Sequence, residues 1–68
     1  MQAVVNGQSR ELEQGLTIES LLESLERSAE GRGVAVAMNG EVVPRGAWDR
    51  TLISEGARVE IVTAVQGG

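Results

Sequence analysis

A single apolar helical stripe constrains this chain more than any other feature. Ile18, Leu21, Leu22 and Leu25 fall at i, i+3, i+4 and i+7, the spacing that lines one face of a helix, here predicted over about 18–28. Thr17 precedes it as an N-cap, and Glu19 lies in the first turn, where the helix dipole favours negative charge. Ser20 occupies the position where a full capping box would place Glu or Gln. Glu19, Glu23, Glu26 and Arg27 form the opposite, solvated face, with Glu23 and Arg27 at a favourable i,i+4 spacing. One helix with one stripe covers one face of one sheet. The rest of the chain must therefore build that sheet.

The strand signals follow in order. Residues 2–5 alternate, with Ala3 and Val5 facing one way and Val4 the other. Asn6-Gly7 is a strong two-residue hairpin signal, because both positions tolerate φ > 0. Residues 8–13 return as an exposed edge strand with one inward side chain, Leu12. After the helix, Gly31-Arg32-Gly33 breaks the pattern. Val34–Met38 reads as a buried strand, apolar on both faces. Asn39-Gly40 is a second turn, and Glu41-Val42-Val43 a short strand that Pro44 ends, since proline donates no hydrogen bond. Residues 44–48 form a connector in which Trp48 covers one end of the core. Thr51-Leu52-Ile53 is short and apolar, Glu55-Gly56 turns, and residues 58–63 form the last strand, with Val59 and Ile61 inward. A helical crossover after a hairpin permits parallel pairing. The expected fold is therefore α+β, a β-grasp: a mixed four- to five-stranded sheet, first and last strands parallel at its centre, one helix packed across one face. Residues 1–63 make the domain.

Composition narrows the function. A 68-residue chain buries only about 60% of the surface it exposes when unfolded. It has no cysteine and no histidine, so Ser-His and Cys-His pairs and Cys/His zinc sites cannot be built. All six basic residues are arginine, which removes Schiff-base chemistry and any lysine acceptor for an isopeptide bond. A net charge of −4 argues against nucleic acid. The sequence has no apolar run long enough for a membrane and no signal-peptide pattern at Met1–Asn6, so a cytoplasmic location is expected. No catalytic residue and no metal site are expected. The chain reads as something an enzyme acts on, rather than as an enzyme.

That directs attention to Ala64-Val65-Gln66-Gly67-Gly68. These residues are expected to form a flexible tail, 64–68, that leaves the last strand and reaches roughly 17 Å when extended. Glycine has no Cβ, so a narrow channel can close around Gly67 and Gly68. A terminal carboxylate is ionised at neutral pH and is a poor electrophile until it is activated.

The residues that carry a family resemblance are now in place. They are the hairpin–helix opening, Ala37-Met38-Asn39, Val42-Val43-Pro44-Arg45 with Trp48, Glu55-Gly56, Val59-Glu60-Ile61-Val62 and Gly67-Gly68. Together they resemble the ThiS-family sulfur carriers of thiamine biosynthesis, ubiquitin-like proteins. The resemblance spans essentially the whole chain. Pro44-Arg45 and Trp48 favour the thiamine branch over the small subunit of molybdopterin synthase. Ala57 departs from the acidic residue often found after the turn, at a position without chemistry.

The resemblance implies a cycle. An E1-like adenylating enzyme uses ATP to convert the Gly68 carboxylate to an acyl-adenylate. Sulfur from a cysteine desulfurase persulfide displaces AMP and leaves a thiocarboxylate, and thiazole synthase takes up that sulfur. Gly67, Gln66 and Val65 would contact the partners, and the chain itself would bind no cofactor and be a monomer when free. The alternatives are a carrier for molybdopterin, tRNA thiolation or a cysteine pathway, a ubiquitin-like modifier, and an interaction module with an inert tail.

Overall fold

A computed structural model describes residues 1–25 and 33–63. In chain order the elements are β1 (Gln2–Val5), β2 (Gln8–Glu11), α1 (Ile18–Ser24), β3 (Val34–Met38), β4 (Glu41–Val42), a 3₁₀ turn (Arg45–Ala47) and β5 (Arg58–Thr63). The five strands form one sheet in the order β2-β1-β5-β3-β4. Only the β1–β5 pair is parallel, with Val4 opposite Arg58 and Val5 opposite Val59; β1–β2, β3–β5 and β3–β4 are antiparallel. This is the expected arrangement, with the first and last strands side by side at the centre.

The helix is short, and isolated helices of this length do not hold in water. Its stability comes from its caps and its buried stripe. Thr17 Oγ1 accepts from Ser20 N at 3.1 Å. The two preceding donors reach across to the Trp48–Thr51 segment: Ile18 N bonds Thr51 O at 3.0 Å and Glu19 N bonds Trp48 O at 3.1 Å. Ile18, Leu21 and Leu22 are fully buried, each contributing roughly 1.5–3 kcal/mol of hydrophobic stabilisation. Leu25 is the C-cap. The expected continuation through 26–28, and the Glu23–Arg27 pair, lie outside the described residues.

The core joins this stripe to Ala3, Val5, Val36, Val59 and Ile61 from the sheet, closed by Val43, Trp48, Ile53 and Ala57. Trp48 caps one end, as expected, and its Nε1 donates to Val43 O at 2.8 Å. The connector that carries it is wound into a 3₁₀ turn at Arg45–Ala47.

Three expectations need correction. β3 is not buried on both faces: Val36 is buried, Ala35 is exposed, and Ala37 is half-buried. Among the described residues the helix covers one face of the sheet, so Ala35 and Ala37 turn away from the core while Val36 enters it. β2 ends at Glu11 rather than at residue 13, although Leu12 N still bonds Met1 O at 2.7 Å. β4 ends at Val42, with Val43 N bonding Val36 O at 2.8 Å just beyond it.

Candidate functional site

The candidate site residues Val65, Gln66, Gly67 and Gly68 lie outside the described residues, as does Ala64. What the structure describes is the strand that leads to them. β5 pairs with β1 on one side and with β3 on the other, up to Val34 opposite Thr63. Its β1 partner stops at Val5, yet the ladder does not. Asn6 N donates to Val59 O at 2.9 Å. In a continued parallel ladder, the Asn6 carbonyl would next accept from Ile61 N. Asn6 instead turns the chain at φ 51°, and its side-chain oxygen, Oδ1, accepts from Ile61 N at 2.7 Å. The side chain therefore supplies the rung that the turn removes.

The second Asn-Gly turn repeats the device on the other side of β5. Asn39 stands at φ 53°. Its N donates to Arg58 O at 2.8 Å, and its Oδ1 accepts from Arg58 N at 2.9 Å. Both hairpins thus hold the last strand, one at its start and one near its end. From sequence these asparagines read only as turn residues. Their side-chain roles depend on partners 19 and 55 positions away, and no local pattern reports that.

A hollow of about 250 Å³ opens beside the exit end of β5, lined among the described residues by Val5, Asn6, Gln8, Arg10, Leu25 and Ile61. Its lining offers aliphatic surface, two amides and one guanidinium. No group of three or more Asp, Glu, His or Cys side chains stands close enough to hold a metal among the described residues. At the opposite end of the sheet the amino terminus meets a carboxylate. The Met1 ammonium donates to Glu11 Oε2 at 2.8 Å. That bond raises the pKa of the amine above its usual value and lowers that of the Glu11 carboxyl below its own. β5 is thus held on both edges, as far as Thr63 on the β3 side.

Comparison with known proteins decides the family. The ThiS family model matches residues 3–68. The chain belongs to the ThiS family. The sulfur carrier protein ThiS of Escherichia coli is 31% identical over 68 residues, covering all of both chains. A thiazole synthase of Paramagnetospirillum magneticum is 35% identical over the same 68 residues, and this chain spans only 20% of that protein's length. The crystal structure of a thiamine biosynthesis protein (ThiS) from Geobacter metallireducens superposes with a TM-score of 0.82 at 34% identity, covering all of both chains. A solution structure of a thiamine biosynthesis protein from the same organism gives 0.79 at 35% identity, covering all of this chain and 88% of that one. The fold is the ubiquitin-like β-grasp of these structures, and the chain is a sulfur carrier of thiamine biosynthesis. Among the described residues, no helix is long and apolar enough to cross a membrane.

Proposed function

We propose that the sulfur is carried on Gly68 as a thiocarboxylate. An ionised carboxylate lacks a leaving group, so an E1-like enzyme first joins it to AMP from ATP and releases pyrophosphate. The outer sulfur of a cysteine desulfurase persulfide then displaces AMP to form an acyl disulfide, and a second thiol of the sulfur-delivery system cleaves it, leaving the thiocarboxylate on Gly68 and a new disulfide on that system. The resulting thiocarboxylate is a soft nucleophile that needs no cysteine, consistent with a chain that has none. Thiazole synthase takes the sulfur from it. Gly67 and Gly68 pass through narrow channels because they carry no side chain, and Gln66 and Val65 contact the channel mouths. The chain is the substrate of its partners rather than a catalyst. It binds neither cofactor nor metal itself, is a monomer when free, and works in the cytoplasm.

Beyond family membership, one observation supports this reading: both hairpins hold β5, the strand that continues into residues 64–68. A carrier needs a fixed point of departure for a tail that others act upon. Deletion of Gly68 tests it. The truncated chain is expected to fold normally and to yield no adenylate and no thiazole. Thiazole formation at the normal rate by that variant would end the proposal.

A further inference from the structure

Both hairpins turn on the same dipeptide, Asn6-Gly7 and Asn39-Gly40, in the same conformation. The asparagines stand at φ 51° and 53°, and the glycines that follow them at 82° and 86°. Asparagine before glycine is the peptide sequence most prone to lose its side-chain amide. A glycine has no Cβ to shield its own nitrogen, and that nitrogen can close a five-membered ring on the asparagine Cγ. At each turn a backbone N–H of β5 already donates to the oxygen on that carbon: Ile61 N to Asn6 Oδ1 at 2.7 Å, and Arg58 N to Asn39 Oδ1 at 2.9 Å. Such a donor polarises the carbonyl, but it also pins the side chain while the turn is closed. The rate is therefore set by how often each turn opens.

The two turns differ in what keeps them closed. β2 returns from Asn6-Gly7 with four paired residues, Gln8–Glu11, and Leu12 N adds a further bond to Met1 O. β4 returns from Asn39-Gly40 with only two, Glu41 and Val42, before Val43 enters the core. The bond from Ile61 N to Asn6 is partly buried, whereas the bond from Arg58 N to Asn39 is exposed to water.

We infer that Asn39 is a site of spontaneous deamidation, with water as its only co-reactant, and that its counterpart Asn6 is protected. The inference does not depend on the function proposed above. Gly40 N forms a bond to Asn39 Cγ, the Cγ–Nδ2 bond breaks, and ammonia leaves with the proton of the Gly40 N–H. Water then opens the succinimide at either of its two carbonyls, returning a proton to the nitrogen and leaving a carboxylate. One opening gives aspartate, which keeps an acceptor for Arg58 N. The other gives isoaspartate, which adds a methylene to the backbone and moves the carboxylate. The isoaspartate turn cannot keep both bonds that now join Asn39 to Arg58. The modification unfastens β5 at Arg58, its first residue.

The test incubates the full-length chain in warm, mildly alkaline buffer, folded in one sample and unfolded in urea in another. Peptide mapping locates the mass gain of an amide turned to an acid, and enzymatic methylation of isoaspartate identifies that product. In urea both asparagines should convert at similar rates. In the folded chain Asn39 should convert about tenfold faster than Asn6. The fraction carrying isoaspartate at position 39, separated by charge, should melt below the unmodified chain and exchange the Arg58 amide faster. Asn39→Asp should match the unmodified chain in both respects. Conversion of folded Asn6 as fast as Asn39 overturns the inference. So does an Asn39 that stays intact in the folded chain by the time the unfolded chain has lost both amides. An isoaspartate fraction with unchanged Arg58 exchange overturns the link to β5.

Discussion

Replacing Asn6 separates the two things that it does. It accepts φ 51° and it supplies an acceptor to Ile61 N at 2.7 Å. Asn6→Asp keeps both. Asn6→Gly keeps the turn and removes the acceptor, leaving a partly buried donor without its partner. Asn6→Ala removes the acceptor and also places a Cβ in left-handed backbone. Loss of a partner for a donor of this kind costs about 1–2 kcal/mol. The left-handed alanine adds about 1 kcal/mol more. A chain of this size has roughly 3–10 kcal/mol of total stability, so both losses are measurable.

For small domains about 1 kcal/mol shifts Tm by about 4–8 °C. Asn6→Gly should therefore melt roughly 4–16 °C below wild type, Asn6→Ala lower still, and Asn6→Asp close to wild type. Thermal and urea unfolding provide the energies. Amide exchange at Ile61 provides the location: exchange should accelerate in Asn6→Gly and not in Asn6→Asp. If Asn6→Gly matches wild type in both Tm and Ile61 protection, the side chain is not holding β5 and the reasoning fails.

Two further outcomes are expected. Trp48→Phe fills most of the buried site but leaves the Val43 carbonyl without its donor, so urea unfolding should register a loss of about 1–3 kcal/mol. The Met1–Glu11 bond should give stability a window in pH. The raised amine contributes fully below its unfolded value of 8.0 and loses that contribution as pH rises through its folded value. The lowered Glu11 contributes above its unfolded value of 4.5 and loses that contribution as pH falls through its folded value. In a chain beginning at Met1, the Tm difference between wild type and Glu11→Gln should be largest near pH 6 and shrink toward both limits. A difference independent of pH would contradict the assignment.

The local devices of this fold were legible because each is written in adjacent residues. Thr17 caps the helix, Asn6-Gly7 and Asn39-Gly40 turn left-handed, and Val59 and Ile61 alternate inward. β3 misled because Ala35 and Ala37 are apolar yet small enough to face water at little cost, so Val34–Met38 looks two-sided although only one face has a cover. The 3₁₀ turn at Arg45–Ala47 has no periodic signature in three residues. The asparagine bonds to β5 were not legible at all. They depend on which strands become neighbours, and strand order is set by the whole chain. The tail residues Val65–Gly68 were singled out by their chemistry and by family resemblance; nothing in strand or helix periodicity points to them.

Mass spectrometry of the protein isolated from its own cells tests the central claim most directly, by weighing the intact chain and then fragmenting it from its end. The account predicts a fraction in which one oxygen is replaced by sulfur, with the extra mass confined to the fragment containing Gly68. Sulfur located elsewhere in the chain, or none in cells actively making thiamine, would contradict it.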